Sequence, residues 1–468
     1  MAILTIAMVA ALVGSVQADV NYGIIIDAGS SHSELYVYQW PKRVSPDSTP
    51  PYTPPVTQST WSKKAEPGIS TMTPEQIPQG LQPLLDFAKT IIPAAQYAES
   101  PIYLGATAGM RMLPISNQTS IMEAVRDFFE ASVFRFDSRW QARILAGEEE
   151  GSFGWIAVNY LSNTLGGGTT YGALDLGGAS TQITFRPKAG QPILANYFPL
   201  HVHGLKEGVY THSFLNYGIN RAKERLLANA VSAAGTGATT ATFGCYNVGY
   251  NSTAAASTVV VVGSSNYTAC HASSKALFDK ASACLTETCS FNQVYQPPLY
   301  GSFVAMSAFT GYIVDDLNLP ENSTVDMIAQ EAERVCGMTL DQLKAQYPSS
   351  AKYVDSFCLG TVYIQTILEY GYGFGAPGSD ATVTFKGTID NTEVGWALGM
   401  LLNEIHYMSW EIQQSCSNDN SKVSKRYRDA TIALAALASI LLCTIVWLCY
   451  KANSRQSSNY SRELMAEG

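Results

Sequence analysis

The chain has 468 residues, more than one small domain needs, so two domains or a duplicated unit are expected. Charged residues make up 14% and apolar residues 46%, which excludes a disordered chain and a coiled coil. The net charge of −9, with no basic patch in the sequence, argues against nucleic acid as a partner. A polyanionic ligand would therefore have to be held by close hydrogen-bond donors and a metal.

The chain begins with a short apolar run that ends in small residues, residues 1–18. This pattern is typical of a signal peptide that is cut before Asp19. An uncleaved N-terminal anchor is the alternative, because no Lys or Arg precedes the apolar run. Either interpretation sends the residues that follow across a membrane.

The first predicted element is a β-hairpin, in which YGIIIDAGSSH (22–32) leads into the return strand LYVY (35–38). The first strand ends in Asp-X-Gly, where glycine permits a tight turn whose backbone N–H groups can converge on a phosphate. Asp27 at the strand end could hold a hydrated divalent cation, since Mg²⁺ usually takes only one or two carboxylates. An ordinary hairpin turn is the alternative interpretation of this motif.

Two segments follow the hairpin. Residues 41–58 are rich in proline and predict an extended loop. Residues 101–111 predict a short strand that enters a small-residue turn and opens a helix, where the Thr107 hydroxyl and the turn amides offer further phosphate donors. A close-packed crossover would have the same sequence pattern.

Three consecutive glutamates, Glu148, Glu149 and Glu150, stand where a helix predicted over 149–161 begins. Glutamates in a first helical turn complement the helix dipole and need no catalytic role, which accounts for at least two of the three. A carboxylate held near a bound phosphate can also take a proton from an attacking water, an effect worth about 10² to 10⁴ in rate. One of these residues is therefore a candidate general base.

A second hairpin repeats the pattern of the first: YGALDLGGAS (171–180) leads into TQITF (181–185), with Asp175 in the place of Asp27. The recurrence predicts a duplication whose halves each carry one hairpin. Two such turns, facing each other, would grip one polyphosphate.

Apolar periodicity also predicts helices over 120–132, 208–228, 324–336, 358–370 and 393–407. The Ala-, Thr- and Gly-rich residues 231–263 predict a surface insertion. Residues 430–450 carry no charge and would span about 30 Å as a helix, which predicts a transmembrane segment followed by a tail, 451–468. A buried core helix is the alternative, and basic residues on both sides of the span leave its orientation open.

The part expected to be exported carries sequons and cysteines. The sequons begin at Asn117, Asn251, Asn266 and Asn322. The cysteines suit disulfides, and no CxxC pair has a matching partner that would indicate zinc. They are Cys245, Cys270, Cys284, Cys289, Cys336, Cys358 and Cys416. Their number is odd, and Cys416 is expected to be unpaired or to form an intermolecular bridge.

Five segments resemble, in order, the apyrase motif regions of the ectonucleoside triphosphate diphosphohydrolases. They are IIIDAGSSHSELYVYQWP, YLGATAGMRML, ILAGEEEGSFGWIAVNYL, YGALDLGGASTQITF and TEVGWALGMLLN. YTHSFLNYG and CSFNQVYQPPLYGSF also look like this family, so the resemblance covers nearly the whole part expected to be exported. His32 after Gly-Ser-Ser, together with a membrane span, is similar to the cell-surface branch.

The resemblance implies an α/β fold of two RNase-H-like domains of the actin and hexokinase type with the active-site cleft between them. Domain I would comprise 19–146 and 387–416, and domain II 147–386. The implied activity is extracellular hydrolysis of nucleoside tri- and diphosphates, with Ca²⁺ or Mg²⁺ as cofactor. The alternative is a catalytically inactive nucleotide-binding or adhesion glycoprotein of the same fold.

The resemblance also implies a role for each residue that matches a family motif. Glu150 would be the general base, and Ser180 and Gln182 would orient the attacking water. The implied phosphate contacts are Ser30, Ser31, His32, Thr107, Ala108 and Gly178. Asp27 and Asp175 would hold the metal through water, with Trp396 closing that side of the cleft. The base-stacking residues would be Phe357 and, one place off the family position, Tyr312.

Two departures from the family pattern are visible, and three disulfides are implied. Ser33 and Glu34 replace the usual Thr and Ser, and the cysteine pair expected in the first domain is missing. The disulfides implied by the resemblance are Cys245–Cys270, Cys284–Cys289 and Cys336–Cys358.

Overall fold

The computed structural model describes residues 20–41, 55–58, 60–202, 205–253, 258–406, 444–448 and 451. The predicted leader (1–18), Cys416 and most of the predicted span (430–450) and tail (451–468) lie outside these ranges. Within them, no helix is both long enough and apolar enough to cross a membrane.

The described chain contains sixteen strands and eleven α-helices. The strands are β1 (Val20–Ala28), β2 (Ser33–Pro41), β3 (Ser62–Ala65), β4 (Ile102–Ala106), β5 (Ala142–Ile144), β6 (Gly172–Leu176), β7 (Ser180–Phe185), β8 (Tyr197–Val202), β9 (Leu205–Leu215), β10 (Thr240–Phe243), β11 (Asn251–Thr253), β12 (Val260–Gly263), β13 (Ser302–Ser307), β14 (Thr382–Phe385), β15 (Thr388–Ile389) and β16 (Thr392–Glu393). The helices are α1 (Ile77–Ile91), α2 (Ala108–Arg111), α3 (Ile115–Glu130), α4 (Gly147–Leu161), α5 (Ile219–Ala233), α6 (Tyr267–Lys275), α7 (Ala308–Thr310), α8 (Val325–Gly337), α9 (Leu340–Gln346), α10 (Phe357–Thr366) and α11 (Trp396–His406).

The first sheet is built on the first hairpin, in the order β3-β2-β1-β4-β5. β2 is antiparallel to β1 and β3, whereas β4 runs parallel to β1 and β5 runs parallel to β4. Ile24, Ile25 and Ile26 in β1 are fully buried, as expected for a strand that is covered on both faces. Helices α1 and α3 contribute Leu81 and Phe129 to this core.

The second sheet has the order β14-β13-β6-β7-β9-β8. Its hairpin strand β6 pairs antiparallel with β7 and parallel with β13, and β9 pairs antiparallel with β7. The strands β9, β7, β6, β13 and β14 correspond in order to β3, β2, β1, β4 and β5 of the first sheet, and β8 is an extra strand at the edge. The predicted α/β class and the predicted duplication are therefore confirmed at the level of strand order.

The two hairpins also have the same register. Asp27 pairs with Glu34 across β1 and β2, and Asp175 pairs with Gln182 across β6 and β7. The strand-end aspartate therefore has the same position relative to the turn in both hairpins. The residue paired with this aspartate is a glutamate in the first sheet and a glutamine in the second sheet.

One predicted helix is wrong over its first half, and no prediction covers α1, α6, α7 or α9. The helix predicted over 208–228 begins only at Ile219, because residues up to Leu215 form β9 between β7 and β8. Backbone pairing on both sides outweighs the apolar spacing of this run. Helix α1 contains Pro83 in its interior, which obscures its helical pattern in the sequence.

The predicted surface insertion, 231–263, contains three strands and several buried side chains among its described residues. Strands β10, β12 and β11 form a small sheet, and Phe243 and Tyr246 are buried in the core of the second sheet. The disulfide Cys245–Cys270 fastens this segment to α6. The other two implied disulfides, Cys284–Cys289 and Cys336–Cys358, are also formed.

Candidate active site

A cavity of about 490 Å³ is lined by the turns of both hairpins. The first hairpin contributes Asp27 and its turn, and the second contributes Asp175 and its turn, so the two aspartates face one shared space. The predicted site residues that line it are Asp27, Ser30, Ser31, His32, Thr107, Ala108, Glu150, Asp175, Gly178, Ser180 and Trp396. Segments that are far apart in the sequence thus meet at one cavity.

The two turns approach each other closely at Gly178. A Cβ atom added there would lie 2.5 Å from Ser30 Oγ in the first hairpin and 2.9 Å from Asn220 Nδ2. Both distances are well inside van der Waals contact, so the Ser30 hydroxyl and the Asn220 amide would have to turn away from an added methyl group.

For Gly178→Ala we expect kcat/KM for a nucleoside triphosphate to fall by at least about tenfold, because the added methyl group displaces the hydroxyl of Ser30, a predicted phosphate contact, and the loss of a hydrogen bond to a charged group costs about 1.5 to 3 kcal/mol. Steady-state kinetics would measure the loss. Gly168→Ala is the matched control, since a methyl group added there meets nothing within 4 Å. Equal kinetics for the two variants would show that the contact between the turns does not matter.

Glu150 lies in the first turn of α4, and its carboxylate is held by two donors. Arg111 Nη2 donates to Glu150 Oε2 at 2.8 Å, and Gln182 Nε2 donates to the same oxygen at 3.2 Å. Burial raises the pKa of Glu150 to about 7, against the lowering effect of Arg111 and with a further rise from the charge of Asp175. A carboxyl group with such a pKa can exchange a proton near neutral pH.

The other two glutamates have structural partners. Glu149 Oε2 accepts a hydrogen bond from the backbone N–H of Ala146 at 3.0 Å and pairs with Arg143. Glu148 lies 3.8 Å from His212 Nδ1. Of the three, Glu150 is the one that lines the cavity.

Ser180 and Gln182 belong to one hydrogen-bond network around Glu150. Ser180 Oγ accepts from Arg111 Nη2 at 3.0 Å and from Gln182 Nε2 at 2.8 Å. Gln182 Nε2 also donates to Ser213 Oγ at 2.8 Å, while its Oε1 is buried without a hydrogen-bond partner among the described residues. Arg111 and Ser213 have no role assigned from the sequence, although both lie in segments that resemble the family.

The surroundings of Asp27 and Asp175 disfavour the charged form of both carboxyl groups. Burial and the charges of Glu150 and Asp175 raise the pKa of Asp27 well above its usual range, while a hydrogen bond from Trp396 opposes this rise. Burial likewise raises the pKa of Asp175, opposed by a hydrogen bond from Ser307. Ser307 has φ 61°, a left-handed conformation that is uncommon for serine and places strain beside the cavity.

These carboxylates fit a divalent cation that is held through water. Among the described residues, no group of three or more His, Cys, Asp and Glu side chains is arranged to hold a metal directly. Among the residues that the structure describes, Asp27 Oδ1 nevertheless has no hydrogen-bond partner although it is buried, and a cation would offset the repulsion between the two aspartates. A hydrated Mg²⁺ or Ca²⁺ with few protein ligands matches this donor set.

The two predicted base-stacking residues lie outside the lining of the cavity. Phe357 has no exposed surface and packs edge-on against Tyr347, with ring centroids 5.2 Å apart. Tyr312 donates a hydrogen bond to Ser356 Oγ at 3.1 Å and fills the space beside Gly360. In this arrangement no face of Phe357 is open to a nucleobase, and the base-binding residues stay a prediction.

Several cavity residues had no assigned role in the sequence. They are Glu34, Tyr36, Lys64, Asn220, Ser307, Thr310, Asp315 and Glu393. The departure from the family pattern at Glu34 was the one signal that could have drawn attention to this side of the cavity.

Comparison with known proteins identifies the family. Residues 14–419 match the model of the GDA1/CD39 (nucleoside phosphatase) family. The human ectonucleoside triphosphate diphosphohydrolase 2 is 37% identical over 420 residues, covering 82% of each chain. The bovine ectonucleoside triphosphate diphosphohydrolase 1 is 36% identical over 439 residues, covering 82% of this chain and 81% of its own.

A solved structure of nucleoside triphosphate hydrolases from Neospora caninum has a similar fold, with a TM-score of 0.59 at 13% identity, covering 88% of this chain and 98% of that one. The five motif segments, the duplicated hairpins and the sequence match over most of the length agree with one another. The chain belongs to the GDA1/CD39 (nucleoside phosphatase) family.

Proposed function

We propose that this nucleotide-hydrolysing enzyme removes terminal phosphates from nucleoside tri- and diphosphates outside the cell, using a divalent cation and water activated by Glu150. The observation that carries the proposal is the cavity that joins both hairpin turns to Glu150. Family membership supports the reaction class, and the proposed mechanism rests on the contacts within the cavity.

Glu150 acts as the general base in this proposal. Arg111 and Gln182 both donate to Oε2, so the other carboxylate oxygen is left to accept a proton from water. Gln182 is not part of the cavity lining, but its Nε2 also donates to the Oγ of Ser180, which does line the cavity. A water held by Glu150, with Ser180 beside it in the lining, would present its lone pair to the terminal phosphorus, which lowers the entropic part of the barrier.

The hairpin turns position the phosphates. Backbone N–H groups and the hydroxyls of Ser30, Ser31 and Thr107 surround the cavity with donors, which suits oxygens that gain negative charge in the transition state. Asp27 and Asp175 would hold Ca²⁺ or Mg²⁺ through water, with Trp396 packed beside Asp27. When bound, this cation would neutralise charge on the phosphate oxygens.

The location and the domain division belong to the same proposal. Residues 430–450 would anchor the enzyme in the cell membrane, with the catalytic part outside and the tail, 451–468, in the cytoplasm. The sequons and the three disulfides suit an oxidising, extracellular environment. The division into domains I and II at residues 146 and 387 would place each hairpin in its own domain.

The test is a metal-resolved product assay on the full chain in detergent. Wild-type protein is incubated with ATP, ADP and AMP, with Ca²⁺, with Mg²⁺ or with EDTA, and the products are resolved by chromatography. We expect phosphate release from ATP and ADP but not from AMP, with loss of at least about 10²-fold in EDTA. Nucleotide binding without phosphate release would instead indicate the inactive nucleotide-binding glycoprotein.

A further inference from the structure

A charged pair lies at the rim of the cavity on the first sheet. Glu34 on β2 and Lys64 on β3 are directly opposite in the strand register, and Lys64 Nζ lies 3.2 Å from Glu34 Oε2. The Glu34 side chain is 8% exposed, whereas that of Lys64 is 61% exposed. The carboxylate is therefore fixed in the wall of the cavity, and the ammonium group stands at its opening.

Lys64 is the only Lys or Arg side chain among the described residues that line the cavity. The carboxylates that share this lining are Asp27, Glu34, Glu150, Asp175, Asp315 and Glu393. A polyphosphate entering such a space meets a large excess of negative charge. Any ammonium group within reach of its oxygens will therefore have a strong influence on binding.

The pair adjoins the phosphate-facing turn of the first hairpin. His32 Nε2 lies 3.9 Å from Glu34 Oε2, and burial, together with the charge of Lys64, lowers the pKa of His32. The segment that follows β3 is bonded to the same turn, because the N–H of Gly68 donates to the carbonyl oxygen of Ser31 at 2.9 Å. Lys64 lines the same cavity as Ser31 and His32 of this turn, and its long side chain is flexible enough to turn its ammonium group toward an oxygen bound there.

We propose that Lys64 binds a phosphate oxygen of the substrate and that Glu34 is a positioning residue that restrains Lys64. Through this restraint, Glu34 limits how tightly the enzyme binds the nucleotide and the orthophosphate product. The inference rests on the proposed function and adds a contact to it. An ion pair with one exposed partner contributes little to stability, so the ammonium group can leave Glu34 for a phosphate at small cost. Glu34 stands where the family resemblance has serine, so the restraint would distinguish this chain.

The first arm of the test removes the ammonium group. For Lys64→Met we expect KM for ATP and ADP and the inhibition constant of orthophosphate to rise by about three- to tenfold, with kcat changed by less than about twofold. Lys64→Arg should restore most of the affinity. Lys63→Met is the matched control, because Lys63 is the next residue on β3 and is absent from the cavity lining. Equal effects at the two lysines, or no change at Lys64, would overturn the inference.

The second arm releases the ammonium group from its partner. For Glu34→Gln we expect KM and the inhibition constant of orthophosphate to fall by about three- to tenfold, and this gain should shrink as salt is raised. The double variant Glu34→Gln/Lys64→Met should match Lys64→Met alone, because Glu34 acts through Lys64. A gain that persists without Lys64 would contradict the restraint.

Two further measurements keep the outcomes distinct. Thermal unfolding checks that each variant folds, and if Glu34→Gln is unstable, the comparison of Lys64→Met with Lys64→Arg alone decides whether the ammonium group contacts phosphate. A wild-type protein that releases no phosphate would refute the proposed function. An active wild type with unchanged KM in Lys64→Met would refute only the inference about Lys64.

Discussion

Replacing Glu150 by glutamine is expected to lower kcat by about 10² to 10⁴, with nucleotide binding nearly unchanged. Glutamine has almost the same shape and still presents an oxygen to Arg111, which donates to Glu150 Oε2 at 2.8 Å. It cannot, however, take a proton from water. The loss should therefore appear in the chemical step, and the effect on ground-state binding should be small.

Steady-state kinetics and calorimetric titration with a nucleoside diphosphate separate these two quantities. Glu148→Gln is the control, because it makes the same change of charge in the same helical turn, and kcat should fall by less than about threefold. In the wild type, kcat should decrease as pH falls through the pKa of Glu150, about 7, since the protonated acid cannot act as a base. Near-normal turnover of Glu150→Gln would remove Glu150 from the mechanism.

Local sequence patterns predicted those parts of the site that lie within single hairpins. The Asp-X-Gly turns are local, because a strand end, a glycine bend and a return strand follow one another within a few residues. This is why Asp27 and Asp175 could be assigned as a pair from the sequence. The resemblance to a known family then extended the assignment to Glu150, Ser180 and Gln182.

The supporting residues could not be predicted because strand pairing brings them together. Ser213 pairs with Gln182 across β7 and β9, yet the sequence around Ser213 suggested a helix. Lys64 meets Glu34 through the register of β2 and β3, which no spacing in the sequence specifies. Residues that support the site thus come from strands paired beside the hairpins, and long-range pairing sets their positions.

The second large effect is expected at Arg111, because this residue joins the predicted general base, Glu150, to Ser180. Its Nη2 group donates to both Glu150 and Ser180, and its Nη1 group donates to the carbonyl oxygen of Leu145 at 3.0 Å. The positive charge of Arg111 opposes the burial effect on the pKa of Glu150. Removing it should raise that pKa further, so that a larger fraction of the base is protonated at neutral pH.

For Arg111→Met we expect the acidic limb of the kcat–pH profile to move to higher pH by about one unit or more, so that kcat at pH 6.5 falls by at least about tenfold. Part of the loss should be recovered at pH 9, where Glu150 is ionised again. Arg111→Lys keeps the charge but not all three hydrogen bonds, so its limb should stay near that of the wild type while kcat is reduced at every pH. A Met variant with an unshifted profile and a uniform loss would show that Arg111 only positions Glu150 and does not tune its protonation.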